Sequence, residues 1–150
     1  MIAIQEVRFG SAVYELTKAF REDILRRPLG LVLSAHDLHG EDQQIHIAAV
    51  GSDNAILGTV VLKPVSPDVI KLRQMAVAPA LRGTGIGRGL LRFAEMLAVA
   101  KGFQTIEMHA RVSARGFYER LGYQSTGVEF IEVTVPTIKM TRRIQVTPVA

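Results

Sequence analysis

The chain has 150 residues, 48% of them hydrophobic, and a formal net charge of +4. This length suits one compact domain with a real core, and so much apolar character excludes a disordered chain. The absence of cysteine excludes disulfides, thiolate nucleophiles and cysteine-held metals, while aromatic residues at 6%, with no basic stretch interleaved among them, give nucleic-acid binding no support.

The predicted elements begin with a strand from Ile2 to Phe9. No basic region followed by a long apolar stretch opens the chain, and no apolar run reaches membrane-spanning length, so a cytoplasmic protein is expected. Ser11 is placed to cap a helix reaching about Leu25, with Val13, Leu16, Phe20 and Ile24 as its apolar face. Pro28 ends that helix, because the residue before a proline avoids helical geometry. Leu29 to Leu33 is apolar and of undecided type. The run His36-Asp37-Leu38-His39-Gly40-Glu41-Asp42 reads as a polar loop. A plain solvated loop is favoured there over an acidic receptor for an amine, and over a zinc site, which needs a helical histidine pair and a third ligand. Ile45 to Val50 and Ile56 to Leu62 are strands around the hairpin signal Ser52-Asp53-Asn54.

After a turn at Pro64 to Pro67 comes a strand over 69–77, then Arg82-Gly83-Thr84-Gly85-Ile86-Gly87. The following helix carries an apolar stripe of Ile86, Leu90, Ala94, Leu97 and Ala98, with Arg88, Arg92 and Glu95 on its wet side, and Gly102 ends it. Gln104 to Ala110 is a strand with Glu107 and His109 on the side opposite Ile106 and Met108. Ser113 is expected to cap a short helix closing at Leu121-Gly122, and Tyr123 to Val135 and Pro136 to Arg143 make two final strands. The order defines an α/β protein with a sheet of mixed direction, in a single domain spanning residues 1–150.

A glycine-rich turn between a strand and a helix leaves backbone N–H groups at the positive end of the helix dipole, which suits phosphate. The dinucleotide pattern G-x-G-x-x-G fails from either start, since Arg88 or Leu90 falls on its last position. The nucleotide P-loop fails because no lysine with a following Ser or Thr comes after the last glycine. The run does fit Q/R-x-x-G-x-G/A through Arg82, Gly85 and Gly87.

That run resembles the acetyl-coenzyme A loop of the GNAT superfamily of N-acetyltransferases. Two flanking stretches are similar to the same family: Arg73-Gln74-Met75-Ala76-Val77-Ala78-Pro79 to its fourth strand, and Ser113 to Tyr123, with Phe117-Tyr118, to its A-x-x-F-Y-x-x-x-G-F/Y segment. The tail Val135-Pro136-Thr137-Ile138-Lys139-Met140 resembles the ElaA-like branch, which usually has histidine where Thr137 stands.

The resemblance implies a mixed sheet of about six or seven strands flanked by helices, and an EC 2.3.1 acyltransferase using acetyl-coenzyme A and no metal. Its acceptor would be a primary amine of a small molecule or peptide, with a homodimer as the family's common assembly; the composition and the lack of a long apolar run separately lead us to expect no nucleic acid or membrane partner. By the same resemblance, the backbone of Gly83, Thr84, Gly85, Ile86 and Gly87 would hold the pyrophosphate, helped by Arg82. Met75, Ala76 and Val77 would pair with the pantetheine arm, and Met75 or Val77 N–H would meet the thioester carbonyl. Arg88, Arg111 and Arg115 are candidates for the 3′-phosphate. Ser113 or Arg111 would stand in for an asparagine that the motif often carries at position 111, and Phe117 flanks the cofactor. Tyr118 matches the tyrosine that protonates the departing thiolate, a phenol suited to a leaving group of similar basicity.

Many relatives place a basic glutamate on the fourth strand, where this chain has Lys71, Arg73 and Gln74. Glu107 or His109 is therefore the candidate base, with Glu129 and Glu132 further afield and a solvated bystander role open to each. Lys71 and Arg73 suggest an acceptor with a negative group. The alternative activity is an acyl-coenzyme A sensor that has lost catalysis.

Overall fold

The computed structural model describes residues 1–145. Seven strands, β1 (Ala3–Val7), β2 (Ile45–Val50), β3 (Ile56–Pro64), β4 (Val69–Val77), β5 (Thr105–Arg111), β6 (Gln124–Glu132) and β7 (Val135–Arg143), are hydrogen-bonded in the order β1-β2-β3-β4-β5-β7-β6. The helices are α1 (Ala12–Arg21), α2 (Ala35–Leu38), α3 (Ile86–Ala100) and α4 (Arg115–Arg120). Strands β4 and β5 are parallel, whereas β1 with β2, β2 with β3, β5 with β7 and β6 with β7 are antiparallel. This is the mixed, helix-flanked sheet expected. Contacts divide the chain into two compact units: Met1–Lys63 with Gln74–Ala94, and Pro64–Arg73 with the described residues from Glu95 onward.

In the first unit β2 and β3 are buried from His46 to Val50 and from Gly58 to Leu62, as central strands covered on both faces are. The turn between them uses Asp53 and Asn54 in left-handed geometry, at φ 57° and 58°. Ser11 caps α1 as expected, accepting from Tyr14 N at 3.1 Å. The buried face of α1, however, is Tyr14, Thr17 and Arg21. The expected stripe is only partly inward: Val13 packs against the core, Phe20 and Ile24 are half-buried, and Leu16 is exposed. Polar side chains take the inside because each finds a partner there. Thr17 donates to Tyr14 O at 2.6 Å, and Arg21 forms a fully buried pair with Glu41.

Helix α1 continues into a π-helical turn, Glu22–Arg26, closed by Arg27 N–H donating to Glu22 O. The wider turn lets Arg21 and Arg26, five residues apart, both be buried. Arg26 grips Asp37 through Nε (3.1 Å) and Nη2 (2.8 Å). The segment read as a loop is therefore structured: Ser34 and Asp37 form a capping box on α2, and Glu41–Gln43 is a 3₁₀ turn. Asp37 and Glu41 are both engaged by arginines, which removes them as acidic receptors for an amine.

In the second unit β5 alternates as expected, with Ile106, Met108 and Ala110 buried and Glu107 and His109 on the other face. Glu95 departs from expectation. It is buried, because Tyr123 Oη and Arg142 Nη1 each donate to its Oε2 at 2.8 Å. Ser113 lies within a 3₁₀ turn, Val112–Ala114, and does not cap; the N-cap of α4 is Ala114. The β6–β7 turn falls at Val133 and Thr134 (φ 49° and 63°), so Val135 belongs to β7 rather than ending the strand before it.

Candidate functional site

The first unit contributes the strand end, the glycine loop and the start of α3. Ala78 N–H donates to Leu57 O at 2.9 Å, tying the loop's approach to β3. Within the loop, Leu81, Arg82 and Thr84 N–H bond back to Ala78, Pro79 and Leu81 carbonyls, and Gly89 N–H to Gly85 O begins the helix ladder. The amides of Gly83, Gly85, Ile86, Gly87 and Arg88 find no acceptor among the described residues. Gly83 and Gly85 sit at φ 81° and 94°, and a Cβ built on either would meet nothing within 4 Å. These donors stand at the N-terminus of a 15-residue helix. Arg82 and Arg88 are exposed beside them, with no ion pair among the described residues. This donor set fits a pyrophosphate.

Gly58 on β3 escaped the sequence reading. A Cβ there would lie 2.7 Å from Leu90 Cδ1, 3.1 Å from Ala76 O and 3.2 Å from Ile86 Cγ2. Its missing side chain lets the first turns of α3 and the end of β4 pack onto β3, which places the loop between them. A glycine inside a strand was the available signal. The end of β4 carries a second feature. Gln74 adopts φ 54°, immediately before Met75, and the ladder of β4 with β5 runs only from Val69–Thr105 to Leu72–Met108.

The second unit holds Tyr118, Phe117, Ser113, Glu107 and His109. Tyr118 is buried and packs edge-on to Phe117 and Tyr123, with ring centroids at 5.1 and 6.0 Å. Burial pushes its phenol well above the ordinary value, and its hydroxyl has no hydrogen-bond partner among the described residues. A protonated phenol without a protein acceptor is a donor in waiting. On β5, Glu107 lies 3.3 Å from Lys139 Nζ. His109 Nδ1 lies 2.7 Å from Glu132 Oε2, and Lys71 Nζ is 3.4 Å from the same ring nitrogen. A carboxylate accepting from Nδ1–H leaves the Nε2 lone pair of a neutral ring available. Arg115 is engaged by Ser125 at 3.0 Å and by Glu119 at 3.6 Å, leaving it less free for a phosphate than Arg82 or Arg88.

Among the described residues, no three or more His, Cys, Asp or Glu side chains are grouped to hold a metal ion, and His36 and His39 are exposed on and beside α2. No described helix is long and apolar enough to cross a membrane.

Among the described residues, a glycine loop whose amides lack acceptors opens α3 on a mixed seven-stranded sheet. The family description "Acetyltransferase (GNAT) domain" matches residues 41–125, and the chain belongs to this family. It is 30% identical over 106 residues to a Bacillus subtilis (strain 168) protein named as an acetyltransferase, covering 71% of this chain and 69% of that one. It is 32% identical over 74 residues to the B. subtilis protein YyaT, and spans only 50% of that relative's length. Among solved structures, one from Lactobacillus plantarum described as an N-acetyltransferase superposes with a TM-score of 0.85 at 25% identity, covering 96% of this chain and 99% of that one. An aminoglycoside 6'-N-acetyltransferase complexed with coenzyme A (TM-score 0.76, 20% identity, 97% and 99% covered) shares the fold. So does Escherichia coli ElaA (0.78, 17%, 94% and 99%).

Proposed function

We propose that this protein is an acetyl-coenzyme A-dependent N-acetyltransferase acting on a primary amine of a small molecule or peptide by direct transfer. The observation that carries the reading is the set of five amides, at residues 83, 85, 86, 87 and 88, that find no acceptor among the described residues at the start of α3. These would hold the pyrophosphate, with Arg82 and Arg88 adding charge-assisted bonds. The β4 backbone at Met75, Ala76 and Val77 would pair with the pantetheine arm and donate to the thioester carbonyl, an oxyanion-type contact.

In the proposed step the neutral amine nitrogen attacks the thioester carbonyl carbon. The carbon–sulfur bond breaks, Tyr118 gives its phenolic proton to the departing sulfur, and His109 Nε2 takes a proton from the amine nitrogen. The products are an amide and the free thiol, and Tyr118 and His109 return to their starting states by exchange with water. The pairing of His109 with Glu132 favours His109 over Glu107, whose carboxylate is held by Lys139. Phe117 braces Tyr118. Ser113, exposed and bonded to nothing among the described residues, is available to the pantetheine arm.

The test is thiol release from acetyl-coenzyme A across a panel of amines, with calorimetric titration of coenzyme A alongside. Turnover on at least one amine is expected. Tight binding with no turnover on any amine would instead mark an acyl-coenzyme A sensor, and absence of binding would overturn both.

A further inference from the structure

Gln74 stands in a backbone conformation that side-chain-bearing residues seldom adopt, φ 54° inside a strand. Such a residue stays there only when its surroundings hold it. Two groups do so. Arg21 Nε donates to Gln74 Oε1 at 3.0 Å, and Thr59 Oγ1 donates to the Gln74 carbonyl at 3.2 Å.

Arg21 is itself immobile. It is fully buried, and Glu41 Oε1 accepts from its Nη1 at 3.0 Å while Oε2 accepts from its Nη2 at 2.5 Å. Glu41 is fixed in turn by Tyr14 Oη, which donates at 2.7 Å, and by His46 Nε2, 2.8 Å from its main-chain carbonyl. The carboxylate alone would neutralise the guanidinium. The third contact, from Nε to Gln74, is one that the ion pair does not require, and only a planar guanidinium fork offers it while holding a carboxylate with both terminal nitrogens.

We propose that Arg21 is a positioning residue for the transfer step, acting through Gln74. A left-handed residue redirects the peptide that follows it, and that peptide carries the Met75 N–H. The Arg21–Glu41 pair thus locks the aim of the donor assigned above to the thioester carbonyl. This inference rests on that assignment.

Arg21→Lys separates the lock from the ion pair, because lysine keeps a cation for Glu41 but has no second nitrogen to reach Gln74. Turnover is expected to fall about tenfold, with coenzyme A affinity changed less than about twofold, the pattern of an interaction made in the transition state. Adding Gln74→Gly to Arg21→Lys is expected to recover several-fold of that loss, since glycine takes the left-handed conformation without an anchor. A purely structural role for Arg21 would give a double variant no faster than the single one, and that result overturns the proposal.

Should Arg21→Lys fold poorly, Gln74→Ala and Gln74→Gly make the comparison in an otherwise unchanged chain. Gln74→Gly is expected to be the faster, and equal rates count against the lock. The amide-to-Hα coupling of residue 74 reads φ by NMR with no ligand present. It is expected to change in Arg21→Lys, and an unchanged value overturns the lock. A wild-type chain that binds no coenzyme A would overturn the assignment of the site while leaving this coupling to decide on the lock.

Discussion

His109 donates through Nδ1 to the Glu132 carboxylate at 2.7 Å, an imidazole oriented by an acid from a different strand. Loss of the ring (His109→Ala) is expected to lower turnover roughly 10- to 100-fold near pH 7. Loss of the orienting carboxylate (Glu132→Gln) is expected to have a smaller effect in the same direction. Both deficits should persist as pH rises, because the nitrogen attacks in its neutral form and must still lose a proton as the amide forms. Rate profiles against pH check this, and a deficit that vanished at alkaline pH would remove His109 from the proton-accepting role. A larger loss for Glu107→Gln than for His109→Ala would move the role to Glu107.

Tyr118 is expected to protonate the leaving thiolate. Tyr118→Phe should reduce turnover about 10²- to 10⁴-fold and change coenzyme A affinity by less than about threefold. Burial raises this phenol above its ordinary value of 10.0, so it stays protonated through the assay range. No alkaline loss of activity from Tyr118 is therefore expected up to about pH 10. A tyrosine-dependent decline between pH 8 and 9, present in the wild type and absent in the variant, would contradict this.

Gly85→Val should weaken coenzyme A binding at least tenfold while the chain still folds. The added side chain would project from the middle of the loop, and the φ of 94° is strained for any residue with a Cβ. Gly58→Val makes a useful contrast, since its side chain meets Leu90 Cδ1 at 2.7 Å and main-chain Ala76 O at 3.1 Å. Overpacking there should cost about 1–3 kcal/mol of stability as well as weaken binding. Thermal melts and titration calorimetry on the two variants distinguish the cases. Normal binding by folded Gly85→Val would exclude the cradle.

Asp37 contributes to stability in a defined pH window. Burial alone would raise its carboxyl, but Arg26 and the Ser34 backbone outweigh that and hold it down to about 2, against an ordinary 3.8. The folded chain thus binds this proton less readily than the unfolded one. The contribution is complete above about pH 4 and is lost as pH falls through 2. Asp37→Asn should lower Tm by several degrees at pH 7, by less near pH 2, and converge on the wild type below it. A difference that persisted undiminished at pH 2 would assign the stability to shape rather than charge.

The loop and its flanking strand and helix were legible in the sequence because they rest on local rules. Glycine punctuates, helices repeat at 3.6 residues, and Ser11 caps the turn that follows it. What could not be read depends on partners distant along the chain. The inward face of α1 is polar because Glu41, 20 residues from Arg21, is there to meet it, and Gln74 lies 53 residues from the same arginine. Glu95 looked solvent-facing for the same reason, since its partners Tyr123 and Arg142 are 28 and 47 residues away. The β6–β7 turn was misplaced because Val133 and Thr134 are β-branched residues, whereas a turn with two left-handed centres normally announces itself with Asn or Gly. Of the candidate site, the glycines and Tyr118 could be nominated from local sequence, while the pairing of His109 with Glu132 needed the strands in register.

The π-helical turn at Glu22–Arg26 makes chain length in this segment a functional quantity. Deleting one residue between Arg21 and Arg26 would restore an ordinary helical turn and swing one of the two arginines away from its carboxylate. Exchanges that conserve length at the exposed Asp23 would leave both clasps in place. Among related chains, gaps should therefore be rarer across residues 21–26 than the variety of side chains there would suggest, and a loop graft into this region must match its count before its composition.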